Sequence, residues 1–157
     1  MAPRIANRVV STALDRKPTE HLTHARIEEL SELHVFLLVR EGFALTDVQA
    51  MIALSELYLS SKLIDRITGK PSRPKQGKVA ESTTGRLSPI QSAIAFQYAK
   101  VLEHATTVFG TLRLAEEWLA KPCRRLDDHS PLDLAGNPVG FQVIENYLER
   151  IELGIYQ

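Results

Sequence analysis

Val108-Phe109-Gly110 stops one long apolar helical pattern, and Leu148-Glu149-Arg150-Ile151-Glu152-Leu153-Gly154-Ile155-Tyr156-Gln157 stops another. Between them the chain writes its own helix starts. Thr111 is placed to cap a helix carrying Leu114, Ala115, Trp118 and Leu119. That helix must end before Pro122, because a proline pushes the residue ahead of it out of the helical region. Ser130-Pro131 opens a single turn closed by Gly136. Asn137-Pro138 repeats the cap-plus-proline device for a last helix, with Ile144, Tyr147, Leu148 and Ile151 on its core face and Gly154 as its stop. Trp118 is expected to anchor the core, since an indole buries on the order of 200 Å² and can still send its N–H to a carbonyl.

Working upstream, Ser88-Pro89-Ile90-Gln91 combines a cap, a proline at the first helical position and a glutamine able to return the capping bond. The helix it starts runs to about Phe109, with Ile90, Ile94, Tyr98, Val101, Leu102, Ala105 and Val108 on one face. Further back, Ile27, Leu30, Leu33, His34, Leu37 and Leu38 share a face of a helix from Ala25 that Gly42 terminates. His34 on that stripe reads as a packed core histidine rather than a ligand. Thr46-Asp47-Val48-Gln49 predicts a capping box for a helix from Asp47 to about Leu59. Ser60 or Ser61 would cap a shorter one carrying Leu63, Ile64 and Ile67, with Gly69 behind it. Residues 1–24 read as an arm: Ile5, Val9, Val10 and Leu14 form a stripe if helical, and Pro18 ends it. The arm is either mobile or ordered against a partner. No segment alternates with period two long enough to be a strand. The expected fold is all-α, with modules at 25–87 and 88–157 and the helix from Ser88 packing against both.

A hydrophobic content of 44% with 24% charged residues is that of a globular chain, and it excludes disorder throughout. The single cysteine, Cys123, excludes an internal disulfide and a cysteine-based zinc site, which points to a reducing compartment and a cytoplasmic protein. The longest apolar run, Val35-Phe36-Leu37-Leu38-Val39, is far short of the ~20 residues a membrane helix requires, and the N-terminus has no apolar signal-peptide core.

The zero net charge hides a division. Residues 1–69 hold 8 Lys/Arg against 9 Asp/Glu, residues 70–86 hold 5 against 1, and residues 91–157 hold 6 against 9. The basic patch follows two short helices and a turn at Gly69, which is the outline of a helix-turn-helix. The next stretch, Ser72-Arg73-Pro74-Lys75-Gln76-Gly77-Lys78-Val79-Ala80-Glu81, would then be the recognition helix, with Ser72, Arg73, Lys75, Gln76 and Lys78 on DNA. Gly77 costs such a helix roughly 1 kcal/mol relative to alanine. The competing reading is a solvated link running on through Ser82-Thr83-Thr84-Gly85.

Intrinsic catalysis is not expected. Cys123 lies near Asp127, Asp128 and His129 in sequence, but no helix terminus or glycine-rich turn is placed to activate it. His21, His24, His34, His104 and His129 form no i, i+4 pair, so neither a metal nor a cofactor is expected. The tail is more informative. Ile155 and Tyr156 follow the helix-stopping glycine, so they cannot extend the apolar face of that helix, and an exposed apolar end marks a contact surface. Ile155, Tyr156 and the carboxylate of Gln157 either enter a concave site on a partner, with Tyr156 as anchor, or fold back on their own core. Arg150 and Glu152 either line the same surface or belong to a solvated face.

Taken in order, several strings carry a resemblance: Gly42 to Leu45, Arg86-Leu87-Ser88-Pro89, Val108-Phe109-Gly110, Ala115, Trp118-Leu119, Pro122, Leu126, Ser130-Pro131-Leu132-Asp133-Leu134, and Leu148 through Tyr156. Residues 42–157 resemble an antitoxin of the Xre/MbcA/ParS type, the partner of RES-domain toxins in type II toxin-antitoxin systems. The resemblance implies a helix-turn-helix domain followed by a toxin-binding domain, usually working as a homodimer. It implies neutralisation of an NAD-degrading toxin encoded by the neighbouring gene, by laying the C-terminal end over the toxin's NAD pocket. It also implies repression of its own operon through operator DNA. Toxin contacts are then expected at Arg150, Glu152, Gly154, Ile155, Tyr156 and Gln157. The chain departs from the pattern at Pro74, Gly77 and Glu81-Ser82-Thr83-Thr84. The alternative function is a stand-alone helix-turn-helix transcriptional regulator without a toxin partner.

Overall fold

A computed structural model of the chain describes residues 16–69 and 85–155. The described residues are all-α: α1 (Pro18–Thr23), α2 (Glu32–Glu41), α3 (Leu45–Ile52), α4 (Glu56–Ser60), α5 (Leu63–Thr68), α6 (Pro89–Phe109), α7 (Leu112–Ala120), α8 (Pro131–Leu134) and α9 (Pro138–Glu152). Single 3₁₀ turns lie at Ile27–Glu29 and Arg124–Leu126. The axis of the molecule is α6, against which α1, α2, α5, α7 and α9 all pack. Its buried residues are mostly small (Ser92, Ala95, Ala99, Ala105), with Tyr98, Val101 and Leu102 among them, so several helices approach it closely at once. One apolar core runs through both halves, from Leu22, Met51, Tyr58 and Ile67 to Leu119, Ile144 and Leu148.

From α6 onward the helices begin and end where local chemistry places them. Ser88 and Gln91 form a reciprocal capping box, and Gly110 closes α6 in the left-handed region. Thr111 accepts from the Leu114 amide, Ser130 from Asp133, and Asn137 from Val139 and Gly140. Two expected core positions lie outside: Ile90 is 76% exposed on the first turn of α6, and Leu114 is partly exposed. Trp118 is only partly buried, in a row of rings described below.

The first half differs more from expectation. Residues 17–24, assigned from sequence to the arm, are docked: Pro18 starts a helix instead of ending one, and Leu22 and Thr19 are buried. A proline at the first helical position lacks only an N–H that would have no intrahelical partner anyway. The helix expected from Ala25 starts at Glu32, because Ser31 caps it by accepting from the His34 amide. His34 is exposed, not packed in the core. The capping box at Thr46 does not form, since α3 starts two residues earlier, at Leu45 behind Ala44. The helix expected from Asp47 to Leu59 is broken at Ala53–Leu54, and α4 restarts at Ser55. Neither Ser60 nor Ser61 caps α5; its N-cap is Lys62, held left-handed at φ 53°.

Contacts from distant residues set these starts. The Glu116 carboxylate of α7 accepts from Ser55 Oγ at 2.7 Å and from the Leu57 amide at 2.9 Å. The Glu103 carboxylate of α6 accepts from Thr19 Oγ1 at 2.7 Å and its amide at 3.3 Å. The Leu45 amide donates to Gly85 O at 2.6 Å, and the Leu87 amide donates to Phe43 O at 2.9 Å. That short pairing brings the chain back beside Gly42 at residue 85, having left the described structure after Gly69.

Candidate functional site

The end of α9 is closed by crossed backbone bonds. The Gly154 amide donates to Ile151 O and the Ile155 amide to Arg150 O, each at 2.9 Å, with Gly154 left-handed at φ 76°. This is the Schellman ending of a helix. In that motif the residue after the glycine commonly rests on an apolar side chain in the last turn. Here those positions hold Arg150 and Glu149, neither of which offers Ile155 an apolar seat, and Ile155 is 61% exposed. Leu153 beside it is 69% exposed. Val139 and Val143, one turn apart near the start of α9, are exposed as well.

Two structures brace this end. On one side Trp118 lies between two other rings: its centroid is 5.3 Å from that of Phe109 and 5.8 Å from that of Tyr147, the latter stacked at 14°. The row ties α6 and α7 to α9. On the other side His104 of α6 lies between two carboxylates of α9, with Nδ1 2.7 Å from Glu145 Oε2 and Nε2 3.3 Å from Glu152 Oε2. Both ring nitrogens can donate together only in the imidazolium form. The Glu145 hydrogen bond, opposed by burial and assisted by the charge of Glu145 and then by Glu152, raises the His104 pKa above its usual 6.5. Around His104 opens an acid-rich cleft of about 490 Å³, lined by Lys17, Lys100 and Glu103 among others.

Of the toxin contacts expected from sequence, Arg150, Gly154 and Ile155 lie together at the exposed end of α9, and the Arg150 carbonyl is part of the closure. Glu152 is drawn to the His104 side, with half of its side chain still exposed. Tyr156 and Gln157 lie outside the described residues, as do Ser72, Arg73, Lys75, Gln76 and Lys78, expected on DNA. Sequence reasoning missed Leu153, Val139, Val143 and the His104 bracket. For the bracket no local signal existed, because its members are 41 and 48 residues apart. For Ile155 and Leu153 the signal was the polar pair Glu149-Arg150 just inside the stop.

The Cys123 neighbourhood is structural. Cys123 and His129 form an isolated backbone bridge around residues 124–128, with Asp127 and Asp128 left-handed. The Cys123 Sγ lies 3.9 Å from the Tyr147 hydroxyl, whereas His129 Nδ1 lies 3.2 Å from Leu126 O, so thiol and imidazole have different partners. Among the described residues no cluster of histidine, cysteine and carboxylate side chains has the form of a metal site. None of their helices is long and apolar enough to cross a membrane.

The exposed apolar end of α9 and the braces behind it lie in one C-terminal stretch. Residues 104–154 match the family model of the antitoxin Xre/MbcA/ParS C-terminal toxin-binding domain, which spans His104, the ring row and the closure at Gly154. Those residues therefore resemble the toxin-binding domain of antitoxins of the Xre/MbcA/ParS type. No curated protein matches the chain.

Proposed function

We propose that this protein is an antitoxin that neutralises a RES-domain, NAD-degrading toxin by obstruction, acting in the cytoplasm as a homodimer without a catalytic centre of its own. The end of α9 is the plug: Leu153 and Ile155 lead, Tyr156 and Gln157 follow, and Arg150 and Glu152 flank them. The observation carrying this reading is the exposed Ile155, to which Glu149 and Arg150 offer no apolar seat, immediately after the last residue matched by the toxin-binding domain model. A catalytic pocket for NAD is concave, and an exposed apolar helix end is a complementary surface for it. Deleting residues 155–157 tests it. Loss of growth rescue in cells expressing the toxin supports the plug, provided the truncated chain stays folded. Full rescue by that folded chain discards it.

Repression of its own operon through residues 70–86 is the second part of the proposal. It is supported by the charge of that stretch, 5 Lys/Arg against 1 Asp/Glu, and by its position after α5. Phosphate contacts make log K fall with log salt by about 0.9 per neutralised phosphate, whereas an apolar toxin interface is far less sensitive. Promoter binding with Arg73 and Lys75 changed to alanine checks this. Equal, non-specific affinity for native and variant removes the repressor role and leaves neutralisation untouched.

A further inference from the structure

The helix α9 is held unevenly along its length. Gly140, Ile144 and Leu148 are buried, and beyond Leu148 no described residue is. The last turn leads into Leu153 and Ile155, and Glu152 ties it to α6 by facing His104 Nε2 at 3.3 Å. The other ring nitrogen, Nδ1, faces Glu145 at 2.7 Å. The Glu145 side chain is 12% exposed and that of Glu152 50%, so one contact is short and sheltered while the other is long and half solvated.

An imidazolium donates from both nitrogens, whereas the neutral ring keeps a single N–H. The shorter, drier contact retains it. Neutral His104 then donates from Nδ1 to Glu145 and turns the lone pair of Nε2 towards the Glu152 carboxylate, which only accepts. An attraction becomes a repulsion. We propose that His104 is a proton-operated clasp on the end of α9: the charged ring holds the last turn against α6, and the neutral ring lets go of Glu152 and frays that turn. His104 is thereby a positioning residue for Leu153 and Ile155, because an end held in one arrangement lowers the ordering cost of any contact it makes.

The other charges around the ring have partners or stand in solvent. From α6, Lys100 lies 3.9 Å from Glu145 Oε1, and Glu103 accepts from Thr19. Ahead of α1, Lys17 pairs with Glu28 of the first 3₁₀ turn at 3.2 Å. Glu149 of α9 is exposed on the rim of the cleft. The Glu145 hydrogen bond, more than any other contact, raises the pKa of His104 above 6.5, so the clasp is closed below the raised value and open above it.

The bearing of the clasp on neutralisation rests on the plug reading, but the clasp is measured on the free chain, so either can fail without the other. The test is nuclear magnetic resonance of the full chain from about pH 5.5 to about pH 8.5, following the His104 ring signals and the α-carbon shifts of Ile151 and Leu153. In the wild type the ratio of held to frayed last turn should fall roughly threefold as pH rises, with the midpoint of the His104 titration. His104→Gln should lose that pH dependence. Glu152→Gln is the sharper variant: its amide can accept from the imidazolium and donate to the neutral ring, so the turn should stay held across the range. A wild-type last turn that does not change while His104 titrates overturns the clasp. So does a pH dependence that survives unaltered in Glu152→Gln.

Discussion

The two halves of this molecule start their helices by different means. From Ser88 onward each start has its own cap in the adjacent sequence: Ser88 with Gln91, Thr111, Ser130 and Asn137. Before Gly69 two of the five starts draw on the other half, Glu103 at the first turn of α1 and Glu116 at that of α4, and a third, α3, has its Leu45 amide on Gly85 O. The difference teaches that the C-terminal half defines its own elements, whereas the N-terminal half is shaped on the surface of α6 and α7. It follows that loss of one carboxylate in the second half should damage the first.

The largest effect should come from Glu116→Ala. It strands Ser55 Oγ, which is fully buried, and the Leu57 amide, and unsatisfied buried groups cost about 1–3 kcal/mol each. We expect a loss of roughly 3 kcal/mol in chemical unfolding, with hydrogen exchange rising first in α4 and α5. Uniform loss across both halves would break the comparison. Next comes Gly140→Ala, whose new Cβ would meet the Leu134 carbonyl oxygen and push α8 from α9. Overpacking against backbone predicts a cost of about 2 kcal/mol, felt in the C-terminal half. Single cap removals, Thr111→Ala and Asn137→Ala, should each cost about 1 kcal/mol and fray only their own helix, read by the same exchange experiment.

The smallest effect is a slope with pH. His104 has a raised folded pKa, so its contribution to stability is fully present below about 6.5 and is lost as pH rises through the folded value. His21 has a lowered one, chiefly from burial and then from Arg16, so it costs stability as pH falls through and below 6.5. The two oppose, and single variants separate them. Relative to wild type, His104→Gln should be most destabilised at about pH 5.5 and least at about pH 8.5. His21→Gln should show the reverse trend. A His104→Gln difference constant across that range would mean the imidazole acts by packing alone.

The same contrast explains what could be read from sequence. Cap-plus-proline pairs at Ser88, Ser130 and Asn137 are short-range chemistry, so α6, α8 and α9 were legible with their starts. The break at Ala53–Leu54 was not, because the carboxylate that makes Ser55 a viable helix start comes from Glu116, 61 residues away. The docking of residues 18–23 was hidden in the same way, since the partner of Thr19 is Glu103. At the candidate site, Gly154 and the apolar residue after it were legible, and the bracket on His104 was not. Exposure on α2 was misread because periodicity reports an apolar stripe without saying which side of the helix faces its own core.

The central claim is obstruction by the end of α9. Its most direct measurement is the rate of NAD⁺ consumption by the cognate toxin, titrated with the full chain and with a chain ending at Gly154. The account predicts that the full chain abolishes turnover at equimolar protein while the shortened chain, folded to the same melting point, leaves most of it intact. Equal inhibition by the two chains would contradict it.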